Sequence, residues 1–186
     1  LTPHIKDVAR RVANAGFLAV APNALAPIGE VADEDEARKK FSELKAEDNQ
    51  QNFIKAFDYA KTRGDSDGNF GCVGFCWGGA MANFLAANVP DLKAAVAFYG
   101  RQGTAEDVPK IKAALQLHYA ENDERVNAGM AAYEEALIKN NIKFESYLYM
   151  GVQHAFHNDT SVARYNVDAA KLAWGRTIEF FKKYVK

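Results

Sequence analysis

The chain has 186 residues, 48% of them apolar and 25% charged, with a formal net charge of −1. This suits one soluble globular domain with a respectable core, and argues for neither a nucleic-acid partner nor a membrane surface. No apolar run approaches the ~20 residues of a membrane-spanning helix, and two cysteines are too few for a disulfide framework, pointing to a reducing, cytoplasmic setting. The chain opens Leu1-Thr2-Pro3, not with Met.

In chain order, Ile5, Val8, Ala9, Val12 and Ala15 form the apolar stripe of a helix, with Thr2 as N-cap, Pro3 in its first turn and Gly16 as its stop. Phe17–Val20 reads as a buried strand ended by Pro22, and 23–36 as a loop with an acidic tail. The charge run Asp33–Lys40 reads as a solvated helix start. Phe41, Leu44, Phe53, Ile54, Phe57 and Ala60 predict one long helix to about Thr62, polar at its centre. Gly64–Gly68 is a turn, and no glutamate follows at the spacing a calcium loop needs.

Strand and helix then alternate. Strands are predicted at Phe70–Phe75, Leu92–Tyr99, Ala113–Tyr119 and Phe144–Tyr149. Helices are predicted at Gly78–Asn88, from about Val126, and over Arg164–Tyr184, with loops around Gly100–Pro109 and over Gly151–Val162. Helices between buried strands imply an α/β fold with a mostly parallel sheet. Ligands of such a sheet bind beyond the carboxyl ends of its strands. Cys76–Gly79, Gly100–Gly103, Glu121–Arg125 and Gln153–Asp159 all fall there.

Gly74-Phe75-Cys76-Trp77-Gly78 has the G-x-nucleophile-x-G form at a strand-to-helix junction. A sharp turn of this kind exposes the nucleophile, needs glycines where the strand and helix backbones approach, and aims the next residue's N–H, here Trp77, at a developing oxyanion. The helix N-terminus that follows favours a thiolate. The competing reading of Cys76 is a small packed thiol. Cys72 stands four residues earlier on the same strand, roughly 13 Å away and too far for a disulfide; it reads as core filler.

A cysteine nucleophile needs a base, and His154 follows the last strand in a glycine-containing loop. His157 is its rival, and His154-x-x-His157 could form a metal pair, but no third ligand stands at a matching place, so neither metal nor cofactor is expected. His118 reads as a packed strand histidine and His4 as exposed or at a cleft rim. Asp123 is the acid that would orient the base, with Glu121 and Glu124 as rivals; an ordinary acidic helix start is the alternative for all three. The order Cys76, Asp123, His154 is the nucleophile–acid–base order of α/β-hydrolases.

With these residues in place, the chain resembles the dienelactone hydrolase family. The resemblance rests on Gly74-Phe75-Cys76-Trp77-Gly78-Gly79, on HYAENDERV at 118–126, on GVQHAFHND at 151–159 and on HIKDVARRVANAGFLAVAP at 4–22. It implies a three-layer α/β-hydrolase domain over 1–186 and a Cys76–His154–Asp123 triad that opens a small ester or lactone through an acyl-enzyme. The Trp77 N–H would serve the oxyanion.

Two departures stand out. Relatives that act on the anionic dienelactone carry arginines for its carboxylate, one just after the catalytic histidine. Here His157-Asn158-Asp159 occupies that region, and Arg101 and Arg125 are the candidate replacements. The family also has N-terminal strands, the last lying between the segments at Phe17–Val20 and Phe70–Phe75. Their loop supplies a second oxyanion N–H, and this chain begins where that loop ends. The expectation is therefore a truncated domain lacking those strands. The alternative function is a non-catalytic or inactive domain that binds a ligand or a partner chain, its exposed strand edges favouring self-association.

Overall fold

The computed structural model describes residues 1–29, 31 and 34–186. The predicted loop over 23–36 and the helix start at Asp33 fall partly outside these residues. Contacts divide the chain into two compact units, Leu1–Gly68 and Asn69–Lys186.

The first unit opens with helix α1, Pro3–Asn14, capped by the Thr2 side chain, whose oxygen accepts from the Ile5 N–H at 3.3 Å. His4 is buried, against expectation, because it lies one turn before the buried Val8 on the same helix face. The predicted strand at Phe17–Val20 is absent: these residues join no ladder, and Leu18 and Val20 are 46% and 45% exposed. An apolar run becomes a strand only when another strand accepts its hydrogen bonds, and no partner pairs with it among the described residues.

The single helix predicted to Thr62 is two, α2 (Glu34–Glu43) and α3 (Ala46–Lys61). The break is at Lys45, whose backbone is extended with φ −70° and ψ 132°. The polar centre of the segment offers no apolar stripe to carry a helix across this point. Glu47 and Asp48 lie in the first turn of α3, where negative charge suits a helix N-terminus.

The second unit contains the sheet. Its elements are β1 (Gly71–Phe75), α4 (Trp77–Asn88), β2 (Ala94–Phe98), β3 (Ala114–Asn122), α5 (Glu124–Asn127), α6 (Met130–Lys139), β4 (Phe144–Gln153) and α7 (Val167–Tyr184). The strands pair in the order β1-β2-β3-β4, all parallel. The helix predicted from Val126 is divided into α5 and α6. The last helix starts at Val167, not Arg164, because the Asn166 side chain caps it, accepting from the Ala169 N–H at 3.0 Å.

Alternation along β1 sets the layers. Gly71 faces Phe181 and Val185 at the α7 end, whereas Gly74, on the other face, meets Gly78 of α4. The α4 and α7 helices therefore cover opposite faces, and the unit is a helix–sheet–helix sandwich. On the α7 face the register aligns Phe75, Phe98, His118 and Tyr147 across all four strands. Their rings stack in sequence at centroid distances of 4.7, 4.2 and 5.7 Å. Arg176 of α7 closes the row, its guanidinium 3.9 Å from the Tyr147 centroid.

Both β3 and β4 outrun their predicted ends, and Gly151–Gln153 belong to a strand, not a loop. The ladder there is irregular. Ala120 pairs with Tyr149, but Asn122 pairs with Gln153, so Glu121 alone faces Met150, Gly151 and Val152. Gly151 takes φ +71° within this bulge.

The close approach of β1 and α4 leaves no room at Gly74: a Cβ there would lie 1.8 Å from the Gly78 carbonyl oxygen. Gly78 itself has open space, so the steric demand expected of it falls on its neighbour instead. Gly74→Ala should therefore cost about 3 kcal/mol or more. Gly78→Ala, inside a helix, should change stability by less than about 1 kcal/mol. Urea unfolding of the two variants checks the contrast.

Candidate active site

The sharp turn after β1 presents Cys76. Its backbone has φ 55° and ψ −116°, outside the comfortable range of a residue with a Cβ, and its side chain is exposed. The Cys76 N–H donates to the Phe98 carbonyl at 3.0 Å, and its own carbonyl accepts from Gly79 and Ala80. These bonds tie the turn to β2 on one side and to α4 on the other. The Trp77 N–H, first in α4, points at the sulfur and favours its anion.

The acid segment follows β3. Asp123 is the N-cap of α5 and is only 7% exposed. Its two oxygens are divided: Oδ1 accepts from the Val126 N–H at 3.4 Å, and Oδ2 lies 2.5 Å from His154 Nδ1. An ionised carboxylate only accepts, so Nδ1 carries the proton and the other ring nitrogen is left for Cys76. Glu124 is the exposed first residue of α5, and Glu121 bonds the Gly151 backbone; neither meets the imidazole.

His154, half-buried, follows β4. Its hydrogen bond with Cys76, and then that with Asp123, raise its pKa, against the opposing effect of burial. The Cys76 thiol is correspondingly lowered, chiefly by its hydrogen bond to His154, while burial opposes and the charge of Arg125 assists. Thiol and imidazole thus move toward each other, as a thiolate–imidazolium pair requires.

The other predicted residues separate from this centre. His157 is buried, stacked on Phe75 at 5.0 Å and near Trp174 at 5.6 Å. His118 is buried between Tyr149 Oη at 2.9 Å and Gln116 Oε1 at 3.0 Å, and burial holds it well below its ordinary pKa. Both histidines are packing residues of the sheet. The Cys72 thiol is pushed by burial up to about 12. Arg101 contributes a backbone carbonyl to Asn83 Nδ2, and its side chain is exposed. Among the described residues no cluster of three or more His, Cys, Asp or Glu is arranged to hold a metal ion, and no helix is long and apolar enough to cross a membrane.

Tyr99 joins the site without any motif to mark it in the sequence. It follows β2 with φ 37°, is 1% exposed, and its ring centroid is 4.9 Å from that of His154. Among the described residues four non-glycines have positive φ: Cys76, Tyr99, Asn141 and Ala155. Three of the four belong to this site or adjoin it in the chain, where strained backbone concentrates. The available signal was position, since Tyr99 directly precedes Gly100 at the carboxyl end of β2.

Parallel strands, a helix on each face, and a thiol, an imidazole and a carboxylate at the strand ends define a hydrolase-type α/β fold. The profile of the Dienelactone hydrolase family matches residues 1–185, so the chain belongs to that family and is a hydrolase of the ester- and lactone-opening class. A "Putative carboxymethylenebutenolidase" of Saccharolobus solfataricus is 31% identical, over 100% of this chain and 86% of its own. "Protein usf" of Aquifex pyrophilus is 34% identical, over 98% and 81%. Among solved structures, a "Putative Dienelactone Hydrolase" from Klebsiella pneumoniae superposes with a TM-score of 0.87 at 27% identity, covering 98% of this chain and 82% of that one.

The paired shifts give a pH test. Cys76 should be alkylated by iodoacetamide from below the pH at which an ordinary thiol reacts, because its anion persists there. Below the lowered value the thiol is protonated and the rate falls. His154→Ala should move the profile to higher pH, while Cys72 stays unmodified near neutrality. Mass spectrometry of the labelled peptides across pH reads all three.

Proposed function

We propose that this protein opens small carboxylic esters or lactones through a cysteine acyl-enzyme. The single observation that supports it most is the 2.5 Å bond from Asp123 to His154, with the far side of the imidazole given to Cys76.

The Cys76 thiolate attacks the carbonyl carbon and forms the C–S bond. The carbonyl oxygen takes the negative charge and accepts the Trp77 N–H. The tetrahedral adduct collapses, the C–O bond breaks, and His154 gives its proton to the departing alkoxide, leaving a thioester. In a lactone the alkoxide remains tethered, so ring opening gives one molecule attached to sulfur. Water then attacks the thioester, His154 takes its proton, and the carboxylic acid leaves as Cys76 returns to the thiolate. Asp123 keeps Nδ1 as the donor and steadies the imidazolium throughout. No metal or cofactor enters these steps. The two free cysteines fit a reducing, cytoplasmic location.

Hydrolysis of p-nitrophenyl acetate tests the reading. Cys76→Ala should lower kcat by about a thousandfold or more, Cys72→Ala should keep most of it, and Asp123→Asn should lose roughly a hundredfold or more. An acyl adduct on the Cys76 peptide, trapped by rapid acid quench, should be visible by mass spectrometry. Equal activity in Cys76→Ala and wild type would overturn the assignment. No activity together with an unreactive Cys76 would favour a non-catalytic binding domain.

A further inference from the structure

We propose that Glu121 is a positioning residue for His154, acting through the main chain of the β4 bulge; this rests on the reading of Cys76, His154 and Asp123 as the reacting groups. Ala120 pairs with Tyr149. A regular ladder would then set Asn122 against Gly151 and Asp123 against Val152. His154 would lie two residues farther on, roughly 7 Å beyond the carboxylate. Instead Asn122 pairs with Gln153, because β4 absorbs two extra residues opposite Glu121. The next residues of the two strands, Asp123 and His154, thereby come level, and their side chains meet at 2.5 Å.

The bulge is thus the geometric condition for the acid–base pair, and it needs something to hold it. Its residues lose regular ladder partners, and Gly151 adopts φ +71°. Glu121 Oε2 accepts the Gly151 N–H at 2.6 Å, a short bond to an ionised acceptor. Glu121 is itself held from α5, where Asn127 Nδ2 donates to the Ala120 carbonyl at 2.8 Å and to the Glu121 carbonyl at 3.2 Å. Two carboxylates of one short segment therefore act on one histidine. Asp123 holds the ring, and Glu121 holds the chain three residues before it.

The test compares Glu121→Ala, Glu121→Gln and Glu121→Asp in the full chain. Readouts are p-nitrophenyl acetate kinetics, the pH profile of Cys76 alkylation, and amide hydrogen exchange at Gly151. Glu121→Ala should lower kcat about tenfold with KM within about twofold, since a displaced base costs rate more than binding. It should also move the alkylation profile to higher pH and speed Gly151 exchange. Glu121→Gln keeps an acceptor of the same reach and should return kcat to within about threefold of wild type. Glu121→Asp keeps the charge but not the reach, and should fall nearer to Ala. Should Glu121→Ala fail to fold, the order of Gln above Asp decides by the same readouts.

Wild-type kcat and alkylation profile in both Ala and Asp variants would overturn the proposal, as would Gln being no better than Ala. A wild type that hydrolyses no ester would instead sink the hydrolase reading. The alkylation profiles would still report whether Glu121 governs the Cys76–His154 pair.

Discussion

The site depends on one steric constraint, the contact of two backbones at Gly74. Because β1 and α4 pass within the radius of a missing side chain, the chain between them must reverse in a single residue. Cys76 absorbs that reversal with a positive φ. The thiol consequently projects from the strand end, the Trp77 N–H points at it, and the N-terminus of α4 begins immediately behind it. A relaxed turn would aim the sulfur elsewhere, away from the His154 imidazole. The strain is tolerated because the Cys76 backbone is bonded on both sides, to Phe98 of β2 and to the first turn of α4.

The second half of the site is assembled by the β3–β4 edge of the sheet. Parallel strands deliver their carboxyl ends to the same side, which brings the acid segment and the histidine loop into one neighbourhood. Topology alone leaves them out of step along the strand direction, and the bulge corrects this. Beneath them, the stacked row of Phe75, Phe98, His118 and Tyr147 ties the four strands together on the α7 face. Two of the four histidines belong to this aromatic layer, and burial holds His118 well below its ordinary pKa. The division of labour among the histidines is therefore a matter of depth. His154 sits at the surface of the strand end between a thiol and a carboxylate, and His118 and His157 lie beneath it.

Much of this was legible in the chain because the relevant signals are local. The elbow is written in six consecutive residues, each strand of the second unit in a short β-rich run, and Asp123 and His154 stand just beyond such runs. The helix cap at Thr2 was legible for the same reason. Misreadings came where a local signal needed a distant partner. Phe17–Val20 has strand composition but joins no ladder. The apolar residues flanking Lys45 suggested continuity where the backbone turns extended. His4 looked solvent-facing until Val8, one turn on, revealed the buried face. Tyr99 carried no motif, and Glu121 looked like a rival acid for the imidazole when its partner is a backbone amide.

The sequence by itself determined the alternation of strand and helix, the turn that must carry Cys76, and the short list of acids and bases that could serve it. These follow from steric and periodic rules acting over a few residues. The tertiary structure alone decided which of His154 and His157 meets the thiol, and which of Glu121, Asp123 and Glu124 meets the imidazole. It also decided that two extra residues in β4 bring the Asp123 carboxylate and the His154 imidazole level. Those choices depend on register between strands some 30 residues apart in the chain. Register is set by which side chains each strand must bury, and for strands so far apart in the chain that is decided by what packs and pairs across the sheet.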